Sequence, residues 1–389
     1  MPDDPSTSAG PPVLSRQELR KQGKGSSRTW WYVLGGVAVV VVGVAVAVLL
    51  TGGKKSTAGK VVATTTTAPP VVAPTCPLTG TPAPGGTVPA RPALGVKIGN
   101  YTGDRPSAGL NQADIVFEEP VEGAITRLVA VFQCRAAALV GDLRSAREPD
   151  AAILSQLSHP VFVHAGGIDP VLALMAQSPL TEENILDGSG STIIHPAGRE
   201  SPYSTFASTS ALWALAPTDT APPAPIFHYS TTLPAGSVTG SGATVHIPFS
   251  SSSDVTWQWS PQTGTYLRFY SGQPDKLLDG SQTAATNLVI MSVQTAIGSW
   301  VENSEGGREV DVTYSGTGPL VVMRNGVAVA GTWSRSSLTQ AATLTASNGT
   351  PITLQPGNTW EELVPDGIAV TTTAATPTAA SGTSTTHAP

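Results

Sequence analysis

The chain has 389 residues, enough for two ordinary domains with tails. Its formal net charge is −6, and from Cys76 onward 13 Lys and Arg stand against 24 Asp and Glu, a net charge of −11 for that part. This acidic balance excludes nucleic acid as a partner and argues against broad adhesion to an anionic polymer, so any anion site has to be a local one.

A long uncharged segment, residues 30–50, dominates the first part of the chain. It is apolar on every face and lacks proline, and its 21 residues would rise about 31 Å as a helix, close to the hydrocarbon thickness of a bilayer. The segment predicts a single transmembrane helix, since a cleavable signal peptide has a shorter apolar core. Five basic residues precede it and three follow closely, which predicts a cytoplasmic N-terminus and an extracytoplasmic location for everything after residue 50.

Three segments have compositions typical of chain that does not fold. Residues 1–29 are polar and predict a disordered cytoplasmic tail, whereas residues 51–75 are rich in Thr and Pro and predict a linker that lifts the folded part off the membrane. Residues 369–389 have the same Thr-rich composition and predict a second disordered tail.

The two cysteines, Cys76 and Cys134, both follow the apolar segment. In an oxidising compartment such a pair predicts a disulfide, which would contribute roughly 4 kcal/mol in the chain-entropy model. Two free buried thiols are the alternative. Neither cysteine has a CxxC neighbour and the histidines show no HxxxH spacing, so we predict no metal site and no cofactor.

Residues 76–220 form the first predicted domain, a mixed α/β one. The predicted strands are Ala93–Ile98, Asp114–Glu118, Ile125–Phe132, Ala138–Leu143 and Val161–His164. The predicted helices are Pro149–Leu157, Pro170–Ala176 and Ser208–Leu215. Two of these helices begin with an acidic residue followed by proline, which is a favourable helix start.

Residues 226–368 form the second predicted domain, which is rich in strands and turns. Val255–Trp259 and Tyr266–Tyr270 alternate in residue type with period two, as half-buried strands do. The dipeptide Asn325-Gly326 separates Val321–Arg324 from Val327–Ala330 and predicts a hairpin with a type I′ turn. The predicted fold class is therefore α+β: a mixed α/β N-terminal ectodomain followed by a β-rich C-terminal domain, on a single transmembrane helix.

Several motifs follow one another in a recognisable order. They are CPLTG (76–80), RPALGVKIGN (91–100), GLNQADIVFEEPVEGAITRLVAVF (109–132), RSAR (144–147), HAGG (164–167), GTWSR (331–335) and ITLQPGNTWEELVP (352–365). Over about residues 76–368 the chain resembles the YerB-like family of bacterial extracytoplasmic proteins, a domain family of unknown function. The resemblance implies lipoproteins or membrane-anchored proteins and no particular activity. The chain departs from the family at 202–206, where Pro-Tyr-Ser-Thr-Phe stands in place of a frequent Pro-His-Asn-Leu-Tyr.

Polar residues gather at the ends of three predicted strands and make the candidate site. They are Glu118, Glu119 and Glu122; Arg144, Ser145 and Arg147; and His164, Gly166, Gly167 and Asp169. Ligands collect outside the carboxyl ends of strands, and two of these clusters lead into helix N-termini, which favour anions. We expect the two arginines to clamp a carboxylate or phosphate, with His164 as a donor or base and Glu118 or Glu119 at the rim. In the alternative, the arginines and glutamates pair with each other and only lock the strand ends.

Three classes of function are open to such a chain. The first is binding of an anionic or sugar-containing cell-envelope ligand, with the membrane and an envelope polymer or envelope protein as partners. The second is an enzyme that processes envelope glycan or a phosphorylated precursor with the three glutamates and two arginines. The third is a structural or interaction protein that docks a partner through the β-rich domain. There Trp257, Trp259, Tyr266, Arg268 and Tyr270 form either a platform for sugar rings or a buried layer between sheets.

Overall fold

The computed structural model describes residues 73–188, 192–215 and 221–374. The predicted transmembrane helix at 30–50 lies outside these ranges, as do the tail at 1–29, most of the linker at 51–75 and most of the tail at 369–389. Within the described ranges, no helix has the length and apolar character that a membrane crossing requires.

The first half of the folded region contains seven strands among its described residues. They are β1 Leu94–Gly99, β2 Ile115–Val121, β3 Ile125–Phe132, β4 Val140–Gly141, β5 Val161–His164, β6 Thr181–Asn184 and β7 Phe206–Ala207. The predicted bounds of β3 and β5 are those observed. The strand expected over Ala138–Leu143 is only two residues long, because its one strand partner is the equally short β7.

Three short α-helices accompany these strands in the described residues. They are α1 Pro149–Leu154, continued by a 3-10 turn at Ser155–Leu157, α2 Asp169–Gln177 and α3 Thr209–Trp213. Proline lies in the first turn of α1 and α2, as predicted, where its missing N–H costs nothing. The α3 helix begins after Ser208, whose hydroxyl accepts a hydrogen bond from the backbone N–H of Ala211 at 3.2 Å.

The second half consists of strands and turns. Its strands are β8 Gly240–Ser241, β9 Thr244–Ser250, β10 Ser253–Ser260, β11 Thr265–Tyr270, β12 Gln273–Pro274, β13 Ala284–Ala285, β14 Asn287–Val301, β15 Arg308–Thr313, β16 Gly316–Arg324, β17 Val327–Arg335, β18 Thr343–Ala346, β19 Thr359–Pro365 and β20 Thr371–Thr373. The predicted Asn-Gly hairpin joins β16 and β17. Asn325 and Gly326 have φ of 49° and 73°, the two positive angles of a type I′ turn.

One large sheet unites strands from both halves of the chain. Over the described ranges its strand order is β18-β17-β16-β14-β19-β2-β3-β1-β5-β6, with β15 added to β14 and β8 to β17. β19 lies between β14 and β2 and runs parallel to both. A second sheet has the order β12-β11-β10-β9-β20, with β13 on β11. The sheet-rich part of the predicted fold class is confirmed, while the division at 76–220 and 226–368 stays a prediction.

Both faces of the central strands β1, β2, β3 and β19 are covered, which explains their nearly continuous apolar sequences. In β3, Val129 and Val131 face a core that includes α1 and α2, whereas Leu128 and Ala130 face a core shared with the second sheet. Consecutive residues of a strand point to opposite faces, so even charged residues of the central strands are enclosed on one side or the other.

The predicted disulfide between Cys76 and Cys134 is present, with the two Cα atoms 5.9 Å apart. It joins the CPLTG segment to the chain just after β3. Gly80 of that segment has φ of +64°, and a Cβ there would lie 2.3 Å from the ring of Tyr229, so only glycine fits. The hydroxyl of Tyr229 donates to the Leu78 carbonyl at 2.6 Å, which ties this segment to the start of the second half.

Candidate anion-binding site

The segment that follows β4 crosses the carboxyl ends of β1 and β5, which are parallel neighbours. The backbone N–H of Arg144 donates to the carbonyl of Lys97 at 3.0 Å, and the N–H of Ala165 donates to the carbonyl of Arg144 at 2.9 Å. The N–H of Ala146 donates to the carbonyl of Gly166 at 2.9 Å. Residues 144–146 are therefore fixed between the two strands.

Glu118 does not reach this edge of the sheet, because its side chain is enclosed between the two sheets. It accepts hydrogen bonds from Arg268 at 2.8 Å, Asn100 at 3.0 Å, Thr126 at 2.7 Å and Trp360 at 3.3 Å. A carboxylate with this many donors is a buried structural anchor.

Glu119 points to the opposite face and is equally enclosed. It forms an ion pair with Lys97, whose ammonium also lies 2.7 Å from a carboxylate oxygen of Asp150. Burial and the charge of Asp150 raise the pKa of Glu119, and Lys97 acts against them. The expectation that Glu118 or Glu119 stands at the rim of a pocket is wrong, because both faces of β2 are covered.

Glu122 and Arg147 are brought together, as the three-cluster arrangement predicts, but they pair with each other. The Nε of Arg147 donates to Glu122 at 2.8 Å, and Nη1 lies 3.2 Å from Glu302. Arg127 reaches the same Glu122 carboxylate at 3.4 Å. Burial alone would raise the pKa of Glu122, but the hydrogen bond from Arg147 and the charges of both arginines lower it to about 2. Glu122 and Arg147 therefore pair with each other, which is the alternative to ligand binding stated for these residues above.

The third cluster is also held by internal contacts. The ring of His164 is buried, with Nδ1 2.8 Å from the Gly166 carbonyl and Nε2 2.7 Å from Glu182. Gly166 has φ of +82°, while Gly167 packs beside Leu172, 3.0 Å from the position of an added Cβ. Asp169 is exposed at the first residue of α2. Ligand contact by these residues stays a prediction.

Arg144 has a different environment from Arg147. Its side chain is 25% exposed, against 5% for Arg147. Its Nε lies 3.3 Å from Asp104, its Nη1 donates to the Pro202 carbonyl at 2.9 Å, and its guanidinium carbon lies 5.3 Å from the centre of the Tyr203 ring. Arg147 is already paired with carboxylates and Arg144 is not buried with it, so a joint clamp on one ligand would need Arg147 to leave Glu122; the clamp stays a prediction.

A small cavity of about 230 Å³ opens beside Arg144. It is lined by Leu143, Arg144, Ser145, Ala165, Leu186, Ser201, Pro202 and Thr205. Three of these residues carry hydroxyls, and Leu186, 56% exposed, adds an apolar edge. A guanidinium can bind a carboxylate or phosphate, and nearby hydroxyl side chains can bind the hydroxyl groups of a sugar. An apolar wall beside such polar groups is typical of small-molecule sites.

Gly99 and Gly103 lack side chains at two positions where the residues around Arg144 pack against the backbone. A Cβ at Gly99 would lie 2.3 Å from Cγ of Asp104 and 2.6 Å from Cγ of Arg144. A Cβ at Gly103 would lie 2.6 Å from the Tyr203 ring. The Gly-Asn-Tyr-Thr-Gly-Asp run at 99–104 thus permits the ion pair and the ring to pack on the backbone.

A second arginine, Arg199, was not identified from the sequence. It donates to the carbonyls of Asp104 at 2.6 Å, Arg105 at 3.0 Å and Tyr203 at 2.8 Å. It joins two loops that are about 95 residues apart in sequence, so no local motif points to it. The one signal was the family departure at 202–206, which the structure places at this cavity.

Asp142 lies beneath the cavity wall, where its Oδ1 accepts the N–H of Thr205 at 2.7 Å. Burial raises the pKa of Asp142 to about 6; the Thr205 hydrogen bond opposes this, Asp104 adds to it, and Arg144 and Arg199 oppose it. These two carboxylates and two guanidiniums therefore form one electrostatic group around the loops. Within the described ranges, no group of three or more His, Cys, Asp or Glu is arranged to hold a metal ion.

The aromatic residues of the second sheet are mainly a buried layer. Trp257, Tyr266 and Tyr270 are buried and Trp259 is half-buried. The ring of Trp257 meets that of Trp360 edge-on, with centroids 5.0 Å apart. These aromatic side chains therefore form a buried layer between sheets, and not an exposed platform for sugar rings.

The fold and the site together define a sheet-rich α+β protein with a small polar cavity at the end of parallel strands. Two family profiles match the chain: "Protein of unknown function (DUF3048) N-terminal domain" at residues 78–222 and its "C-terminal domain" at 245–360. The chain therefore belongs to the YerB-like family, as its motifs indicated.

Two similar proteins come from Bacillus subtilis. The "Putative lipoprotein YerB" of strain 168 is 26% identical over 302 residues, which cover 75% of this chain and 86% of that protein. The crystal structure of YerB protein matches with a TM-score of 0.66 and 22% identity over 76% of this chain and 99% of that one. At this identity the second match shows a shared fold.

Proposed function

We propose that this chain is a membrane-anchored extracytoplasmic protein that binds an anionic or sugar-containing ligand of the cell envelope in the cavity beside Arg144. The observation that carries the proposal is the partly exposed guanidinium of Arg144 at a cavity lined by Ser145, Ser201 and Thr205. By contrast, the guanidiniums of Arg147 and Arg268 are buried against carboxylates.

The size of the cavity supports recognition of one group of a larger ligand. Pockets that enclose a whole drug-sized molecule measure about 300–1,000 Å³, and this one has about 230 Å³. A carboxylate or phosphate would meet Arg144, and attached hydroxyls would meet the hydroxyl side chains. Asp104 competes with the ligand for the same guanidinium, which favours reversible binding over very tight binding.

The extracytoplasmic location has three supports. The disulfide is typical of an oxidising compartment, and the relative YerB is named a lipoprotein. The uncharged segment at 30–50 has the length and composition that predict a membrane-spanning helix. Both cysteines of this sequence lie in the disulfide, so neither is free to carry a lipid, which favours the helical anchor.

Calorimetric titration of the full chain with D-glucuronate and with inorganic phosphate tests the proposal. Arg144→Gln should weaken binding about tenfold to a hundredfold, the usual value of a charge-assisted hydrogen bond. The matched control is Lys276→Gln, which removes the charge of an exposed lysine that lines neither this cavity nor the one beside Glu122. Unchanged affinity in Arg144→Gln, or an equal loss in Lys276→Gln, would contradict the assignment of this cavity.

A further inference from the structure

Arg127, a residue of β3 that the sequence did not single out, connects two cavities through its guanidinium. Its Nη1 donates to the backbone carbonyl of Ser145 at 2.9 Å, and its Nη2 lies 3.4 Å from Oε1 of Glu122. Ser145 lines the cavity beside Arg144. Glu122 lines a separate cavity of about 440 Å³, which is formed by residues 120–125 with Phe249, Ile297 and Val310.

The carbonyl of Ser145 is held by a side chain from another strand and not by a neighbouring backbone. The N–H groups of Arg144 and Ala146 are bound by backbone carbonyls of the chain beside them. The carbonyl of Ser145 is bound by Arg127 instead. A carbonyl that is removed from water and loses its donor destabilises the fold, so without Arg127 this half-buried peptide is free to rotate toward another partner. Such a rotation would move the adjacent Arg144 and the Ser145 hydroxyl.

The other side of Arg127 is fixed by Glu122. The same carboxylate accepts from Nε of Arg147 at 2.8 Å, and Nη1 of Arg147 donates to the Ala146 carbonyl at 2.8 Å. One carboxylate thus orients two guanidiniums, and each guanidinium holds a carbonyl of the 144–147 segment. A planar guanidinium can do this because its donors form a rigid fork, whereas the three donors of an ammonium diverge from one nitrogen and fix no plane.

We infer that Arg127 is a positioning residue of the Arg144 site, and that Glu122 controls the site's affinity through it from the second cavity. The inference rests on the function proposed above. Neither residue touches the ligand: Arg127 fixes the Ser145 peptide, and Glu122 fixes Arg127.

Two variants separate positioning from charge. Arg127→Lys keeps the charge but loses the fork, so it should weaken binding of D-glucuronate and phosphate about tenfold, or about 1.4 kcal/mol. Glu122→Gln makes the surroundings more positive, which by charge alone would tighten anion binding. Positioning predicts the opposite sign, a weakening of about threefold.

The control variant is Arg335→Lys. Arg335 is as buried as Arg127 and also donates to backbone carbonyls, those of Tyr314 and Ala152, but it is not part of the network around Glu122. The Arg335→Lys variant should have a lower melting temperature and unchanged dissociation constants for both probes. If it also loses affinity, the loss in Arg127→Lys reflects a general loss of stability.

The outcomes distinguish the two proposals. If the wild type binds and Arg144→Gln does not, while folded Arg127→Lys keeps the wild-type dissociation constants, the positioning role is overturned and the ligand site stands. If Arg127→Lys does not fold, unchanged or tighter binding by Glu122→Gln overturns the role. If the wild type binds neither probe, the proposed function fails, and the positioning role fails with it.

Discussion

Arg144 and Arg147 are separated by two residues, yet their side chains differ in exposure and in the carboxylates that they contact. Arg147 is enclosed with Glu122 and Glu302, whereas Arg144 is partly exposed beside the buried Asp104. The difference follows from the irregular backbone between β1 and β5, where strand alternation does not set the direction of side chains. At the scale of single residues, spacing alone does not tell which arginine is available to a ligand.

Tyr203 offers a test of which ligand the cavity prefers. Its ring lies 5.3 Å from the Arg144 guanidinium, and Tyr203 directly follows Pro202, which lines the cavity. Tyr203→Leu keeps bulk but removes the aromatic face. If that face stacks on a bound sugar ring, binding of D-glucuronate should weaken about threefold, at the lower end of the roughly 0.5–1.5 kcal/mol that an aromatic contact contributes. Titration with inorganic phosphate is the control, because phosphate has no ring to stack. An equal loss for both ligands would mean that the tyrosine serves only to support Arg144.

The residues that build the Arg144 environment could be found from the sequence only in part. Arg144 and Ser145 were identified because they follow a predicted strand. Asp104 and Arg199 were not, because they come from loops whose proximity depends on the tertiary fold. Alternation along β2 does predict that Glu118 and Glu119 point to opposite faces. It does not reveal that both faces are covered, which depends on packing from the second half of the chain.

At the scale of elements, the local sequence predicts strand pairing correctly where the paired strands are neighbours along the chain. The β16–β17 hairpin was predictable because Asn325-Gly326 specifies its turn. The position of β19 between β14 and β2 was not predictable, since parallel neighbours are joined through distant parts of the sequence. The short β4 was overestimated for the same reason, because its length depends on β7, more than 60 residues further on.

Gly331 in β17 gives a prediction about strand pairing. A Cβ at this position would lie 2.0 Å from the backbone oxygen of Thr345 in β18, so Gly331→Ala must push the two strands apart. We expect a loss of about 1–3 kcal/mol in the free energy of unfolding, the usual cost of overpacking, measured by denaturant titration. Gly240→Ala is the control, since an added Cβ there meets nothing within 4 Å. Equal stability of the two variants would show that the β17–β18 contact is looser than described.

For the whole molecule, buried carboxylates predict an unusual dependence of stability on pH. Burial raises the pKa of Glu361 to about 7, against the hydrogen bond from Tyr314 and the charge of Arg335. Burial and Asp311 raise the pKa of Glu148 to about 7. The folded state then holds protons that the unfolded chain has lost, so the free energy of unfolding should fall as pH rises from about 4.5 to about 7. Glu122, whose pKa is lowered, stabilises the fold while it is ionised, and that contribution is lost only as the pH falls below this range.

Denaturant titrations between pH 4.5 and 8 measure this dependence. Glu361→Gln removes one titrating group while keeping an acceptor for the Tyr314 hydroxyl, so its curve should be flatter than that of the wild type. A free energy of unfolding that increases over the same range would show that these carboxylates are ionised in the folded protein.

The central claim is that the cavity beside Arg144 binds the acid group of an envelope ligand, and an experimental structure of the protein at saturating D-glucuronate tests it most directly. The account predicts density for the sugar within the cavity, with its carboxylate in hydrogen-bond contact with Arg144 and its hydroxyls near Ser201 and Thr205. An unoccupied cavity at saturating ligand, or the ligand bound at another surface with the Arg144–Asp104 pair intact, would contradict it.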